Sequence, residues 1–229
     1  MKIITLLLVL AGVWIHGLPN AIAADTSTKT ARPVKDSTDK ACTELSPEES
    51  IRLGLIRQMI IEGKSHAAIA HLDASKIKNE QAELLRADGL RQTGRALQAQ
   101  AIYEQLKNSC VSGYAYRGLG LIASETGDTQ QALRHLKAAS DALPTEHTIR
   151  NDYGFVLMQS GEHASALHEF LTAVELAPDY RQSAHNLILL LYQQGDSAKA
   201  EMFAKQFGVV ADEMQQLRTL AQKNNGAMP

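Results

Sequence analysis

Five glycines stand at positions 63, 94, 127, 161 and 195, separated by 31, 33, 34 and 34 residues. Each falls between two amphipathic stretches. A fixed step of this length constrains a chain strongly, because one such unit cannot bury its apolar face without a neighbour of the same kind. The clearest unit runs from Asn151 to Pro178, NDYGFVLMQSGEHASALHEFLTAVELAP. Tyr153, Gly154 and Leu157 share one face of a first helix, and Ala166, Phe170 and Ala173 share one face of a second. Small residues at Gly154 and Ala166 let the two axes approach. Pro178 ends the second helix, since proline lacks an N–H and clashes with the preceding turn.

The same pattern lies one step earlier in Leu119, Gly120, Ala123, Ala132, Leu136, Ala139 and Pro144, and one step later in Leu187, Ile188, Leu191, Ala200, Ala204 and Phe207. A degenerate copy holds Arg86, Ala87, Leu90, Ala99, Tyr103 and Leu106. A fainter one holds Leu55, Ile56, Met59, Ala68 and Leu72. With its small, aromatic, alanine and proline positions, this step resembles the tetratricopeptide repeat (TPR). The resemblance implies an all-α fold, a right-handed α-α superhelix of about 4–5 helical pairs plus a C-terminal capping helix. The repeats are expected near residues 49–78, 80–112, 113–146, 147–180 and 181–208 within a TPR domain spanning 46–229. The cap is expected over 211–223, where Met214, Leu217, Leu220 and Ala221 share a face. Composition agrees: 45% of residues are hydrophobic but only 5% aromatic, which suits helices better than a sheet core.

The N-terminus reads as an address. Lys2 precedes an uncharged, mostly apolar run from Ile3 to Ile15, and Pro19 and Ala21-Ile22-Ala23 follow. This predicts a signal peptide over residues 1–23, cleaved after Ala23. An uncleaved anchor is the alternative. The apolar core is shorter than the roughly 20 residues a membrane span takes. Val13, not cysteine, follows Leu10-Ala11-Gly12, so export without acylation is expected: a soluble periplasmic chain, with no direct membrane insertion after cleavage. Residues 24–45 are polar and predict a flexible linker. Ser46-Pro47-Glu48-Glu49 then carries the marks of a helix start: an N-cap, a first-position proline and a capping-box glutamate.

Cys42 and Cys110 are the only cysteines. In an oxidising compartment such a pair suggests a disulfide, closing a loop of about 70 residues and contributing on the order of 4 kcal/mol in the chain-entropy model. Two free thiols, or an intermolecular link, remain open at this level.

No chemistry emerges from the motifs. There is no C-x-x-C, H-E-x-x-H, G-x-S-x-G or phosphate-cradling loop. His66 and His71, like His163 and His168, are five apart and read as solvated helix surface rather than metal ligands. Gly118 and Gly120 lie inside a helix, where Gly120 serves packing. The formal charge of −2 becomes −3 without Lys2, and no basic stripe marks a helix face, which argues against nucleic acid. The expected class is non-enzymatic, with no cofactor and no metal.

The TPR resemblance implies a groove lined by the first helices. Mapped here, it holds Arg117, Asn151 and His185 at one recurring position, and Asp152 and Asn186 beside them. Leu121, Phe155 and Leu189 form an apolar row, with Met158, Gln159, Tyr192, Gln193 and Glu125 further along. Such a surface suits a mostly hydrophobic peptide or helix, with Asn151 and Asn186 available to its backbone. Alternatively the apolar row only packs neighbouring first helices together. Arg117 alone is not a carboxylate clamp.

The strings GLGLIASETGDTQQALRHL, RNDYGFVLMQSGEHASAL and AVELAPDYRQSAHNLILLLYQQGDSAKAE resemble the TPR protein of tight-adherence (Tad/Flp) pilus assembly, the TadD type. That resemblance implies a periplasmic adaptor serving secretin or pilus-assembly components. Other readings are a periplasmic TPR adaptor for an outer-membrane or cell-wall complex, or the regulatory subunit of an enzyme.

Overall fold

The first helix begins where its capping residues stand. In the computed structural model, which describes residues 41–226, α1 spans Pro47–Ile61. The Glu49 N–H donates to Ser46 Oγ at 3.2 Å, and the Ser46 N–H donates to Glu49 Oε2 at 2.9 Å. The reciprocal box satisfies donors that a helix start otherwise leaves unpaired. The expected signal segment and residues 24–40 lie outside the described residues.

Ten further helices follow: α2 Ser65–Ser75, α3 Glu80–Gln92, α4 Ala96–Leu106, α5 Ser112–Glu125, α6 Thr129–Ala142, α7 His147–Gln159, α8 His163–Leu176, α9 Arg181–Gln193, α10 Ser197–Gln206 and α11 Ala211–Gly226. No strand occurs among the described residues. The all-α superhelical repeat fold that the tetratricopeptide resemblance implies is the fold observed.

The period has a backbone cause. Gly63, Gly94, Gly127, Gly161 and Gly195 all have φ between +75° and +84°, a region that side chains disfavour. In every case the next residue's N–H donates back across the turn: Lys64 to Met59 O at 2.8 Å, and Arg95, Asp128, Glu162 and Asp196 to Leu90, Ala123, Leu157 and Leu191 O at 2.9 Å. This Schellman closure reverses the chain between the two helices of each pair.

Within the pairs, glycines mark where helices touch. A Cβ on Gly154 would lie 2.9 Å from Phe170 Cδ1, and one on Gly120 would lie 2.6 Å from Leu136 Cγ. Between pairs, Gly118 of α5 does the same work against the Tyr103 ring of α4, a role its position beside Gly120 did not announce. Phe170, Tyr103 and Leu136 are each fully buried. The apolar interior is a succession of clusters passed from pair to pair, as in a linear stack.

The stack curves. Substantial contacts between like helices join first helices to first helices, α1 to α3, α3 to α5, α5 to α7 and α7 to α9. Second helices are splayed further apart, so the first helices form the inner wall.

The end of the polar stretch before α1 is tied down: Cys42 is disulfide-bonded to Cys110 with a Cα–Cα distance of 5.2 Å. The Thr43 N–H and hydroxyl both donate to the Glu80 carboxylate at 3.1 Å, and Leu45 packs against the first cluster. The C-terminal helix α11 covers the last pair by lying along α9 and scarcely meets α10. Helices α5, α7 and α9, which also follow a pair, pack mainly on that pair's second helix.

Candidate functional site: the inner wall of the stack

Side chains at recurring positions on successive first helices stand next to one another across the wall. Polar ones therefore meet partners about one repeat away. Arg91 Nη1 reaches Glu125 Oε1 at 2.7 Å, Arg117 Nε reaches Asp152 Oδ2 at 2.7 Å, and Asn186 Nδ2 donates to Asn151 Oδ1 at 2.9 Å. Tyr114 Oη donates to Glu146 Oε2 at 3.0 Å across the same gap. These rungs tie each pair to the next.

The rungs change the roles expected for three residues. Arg117 is an ion-pair partner rather than an unengaged cation. Burial works against its charge, but Asp152 and Asp88 outweigh that and the guanidinium pKa is raised. Asn151 and Asn186 are buried and spend their amides on each other, on Asp152 and on Gln182. Groups this buried are costly to leave unpaired, so the stack pairs them internally.

The apolar row divides. Leu121 and Phe155 stay half-buried, whereas Leu189 is only 5% exposed. Met158 and Tyr192 are also buried, in the last core cluster. Gln159 is exposed. His185 is half-buried, with Nε2 3.8 Å from Glu213 Oε2 of α11. Arg218 of α11 sits over the Tyr192 ring, 5.3 Å from its centroid. Thus α11 covers the α9 portion of the wall and leaves the α5–α7 portion open.

There the structure forms a cleft of about 210 Å³, lined by Leu121, Ser124, Asn151, Asp152, Phe155, Val156, Tyr180, Gln182 and Asn186. It joins four expected residues, Leu121, Asn151, Phe155 and Asn186, with the Asp152 beside them. Ser124, Tyr180 and Gln182 were not singled out from the sequence. Tyr180 precedes α9 and is placed by an edge-on contact with the His147 ring, 4.8 Å between centroids; burial raises its pKa.

Asp88 was also missed, although it stands one repeat before Leu121 at the same position. It takes a hydrogen bond from Tyr103 Oη at 2.5 Å. Burial raises its pKa, against the pull of that bond and of Arg117 and Arg91. At this one position the wall changes from a carboxyl group on α3 to apolar side chains on α5 and α7.

Among the described residues, one group of metal-capable donors converges, Cys42, Glu80 and Cys110 within 4.8 Å of one another, and the disulfide uses both sulfurs. His66, His71 and His168 are exposed, but His163 is half-buried with Nδ1 lacking a hydrogen-bond partner, which differs from the solvated role expected of it. No described helix is long and apolar enough to cross a membrane.

The tetratricopeptide-repeat family model matches residues 123–191. A TPR repeat-containing protein of Pseudomonas aeruginosa, PA4299, is 33% identical over 204 residues, covering 87% of this chain and 80% of its own. This chain is a tetratricopeptide repeat protein. Solved TPR structures share the fold at low identity. MamA residues 41 to the end from Desulfovibrio magneticus aligns with a TM-score of 0.52 at 15% identity, over 76% of this chain and 98% of that one. YrrB, described as a TPR protein with an unusual peptide-binding site, aligns with a TM-score of 0.51 at 17% identity, over 75% and 90%. In this TPR protein, the cleft sits on the inner wall of the third, fourth and fifth helical pairs of the stack.

Proposed function

We propose that this TPR protein is a non-enzymatic adaptor that holds a peptide or helix of a partner protein against its inner wall. The carrying observation is the α5–α9 cleft. Leu121 and Phe155 remain part-exposed on its floor, and Ser124, Asp152, Tyr180 and Gln182 form a polar rim. An apolar floor with a rim of orienting polar groups is what peptide recognition needs. YrrB, a fold neighbour, is described as a peptide binder.

The setting is an exported, periplasmic one, supported by the apolar leader after Lys2 and the Cys42–Cys110 bridge. Within it, the resemblance of residues 118–204 to the TadD type favours secretin or pilus-assembly components of a tight-adherence system as the partners. The test is affinity capture of the exported protein, with mass spectrometry of what it retains, for the wild type and Phe155→Glu. Capture of pilus-secretion components by the wild type, lost in the variant with helicity intact, is the expected result. Equal capture by both would remove the cleft from the account.

A further inference from the structure

Helix α11 departs from the stack in a way that has a functional reading. It is not placed as the next first helix would be, because it lies on α9 and scarcely on α10. Its contacts include the inward-facing His185 and Tyr192 of α9, with Arg181 at the start of α9 and Glu201 of α10 beside them. Glu213 Oε2 pairs with Arg181 and stands 3.8 Å from His185 Nε2. Met214 Sδ accepts from Tyr192 Oη at 3.9 Å. Arg218 lies over the Tyr192 ring and reaches Glu201 at 3.1 Å. Met214 and Leu217 pack against the cluster that contains Leu189 and Tyr192. The equivalents of Leu189 on α5 and α7, Leu121 and Phe155, have no such cover and line the open cleft.

We infer that the inner face of α9 is a docking site for an amphipathic helix, and that α11 is its resident, displaceable occupant. The occupant defines the ligand class: a helix carrying a carboxylate toward Arg181 and His185, apolar residues one and four positions later, and a cation to stack on Tyr192. Glu213, Met214, Leu217 and Arg218 supply that order. Helix-in-groove recognition reads anchors at this spacing. A partner helix that displaces α11 gains a surface continuous with the cleft, since Asn186 lines the cleft and belongs to α9.

The fold favours exchange. Apart from Ala221, the helix is half-buried or exposed along residues 211–224. Its departure leaves the five pairs complete. Segments with few buried contacts open at lower free energy than the body they rest on.

This inference rests on the reading of the inner wall as the ligand surface, and its test uses only the chain and a peptide of its own sequence, so it fails separately from any external partner. The probe is a fluorescently labelled peptide of residues 211–226, titrated into full-length wild type, Leu217→Asp and Glu213→Lys while anisotropy is read. In the wild type the tethered helix competes at an effective concentration on the order of millimolar. The expected result is at least tenfold tighter peptide binding by Leu217→Asp than by the wild type. Glu213→Lys, which keeps every apolar contact, covers the case in which Leu217→Asp fails to fold, and is expected to bind a few-fold tighter than the wild type. Hydrogen exchange on the wild type is expected to show α11 amides opening independently of denaturant, below the free energy of α9. Peptide affinities within twofold across the folded proteins, or α11 exchanging only with global unfolding, would make α11 a fixed cap and overturn the inference.

Discussion

Removing the Cys42–Cys110 bridge tests how this stack is held at its N-terminal end. The bridge closes a loop spanning 68 positions of sequence, and the chain-entropy relation for a loop of that size amounts to about 4 kcal/mol at 25 °C. In a globular domain that loss would be shared by the whole. Here it is local, because each pair touches only its neighbours. The loop encloses α1 to α4 and ends in the turn before α5. Freeing Cys42 also releases the strap that donates to Glu80 through Thr43. The double variant Cys42→Ser/Cys110→Ser is therefore expected to lose most of this about 4 kcal/mol from α1–α4 while α7–α10 stay near wild-type protection. Urea unfolding followed by circular dichroism, with native-state hydrogen exchange resolved by peptide, reads both quantities. A loss below about 1 kcal/mol, at the low end of measured disulfide effects, or an equal loss of protection in α7–α10, would refute the reasoning. Two free thiols in the non-reduced wild type would remove its premise.

Three further outcomes are expected. Gly120→Val places a side chain within 2.6 Å of Leu136 Cγ and should destabilise the α5/α6 pair by about 1–3 kcal/mol, read from the urea midpoint. Asp88 holds a raised pKa, so the folded chain keeps a proton that the unfolded chain releases. Its contribution is full below the ordinary carboxylate pKa and is lost as pH rises through the raised value. Asp88→Asn should remove that decline, and a wild-type minus variant stability difference that stays flat with pH would contradict it. Trp14 is the only tryptophan and lies in the expected signal segment, so protein purified from the exported fraction should show no tryptophan emission, and emission there would mean that the segment is retained.

Much of the architecture was legible because its signals are local. A glycine at positive φ every 31 to 34 residues needs only its own backbone to close a Schellman turn. Ser46, Pro47 and Glu49 need only each other to start α1. The Gly154–Phe170 and Gly120–Leu136 contacts join residues of a single pair, whose spacing is set by that turn. The inner wall was legible as a set of positions, and Leu121 and Phe155 do line its cleft.

The occupancy of those positions depended on the neighbouring helix. Leu121, Phe155 and Leu189 are equivalent in sequence and differ in exposure because α11 lies over the last of them. Arg117 read as a cation until Asp152, one repeat away, was brought to 2.7 Å. The two asparagines read as ligand-binding groups until burial obliged them to pair. By itself, the sequence determined the repeat, the helix pairs and the faces they turn toward one another, since turn conformation and helical periodicity are properties of a few adjacent residues. Only the tertiary structure decided which inner-face groups stay open, because desolvation depends on what packs above a side chain. At α9 what packs above is α11, which lies along it.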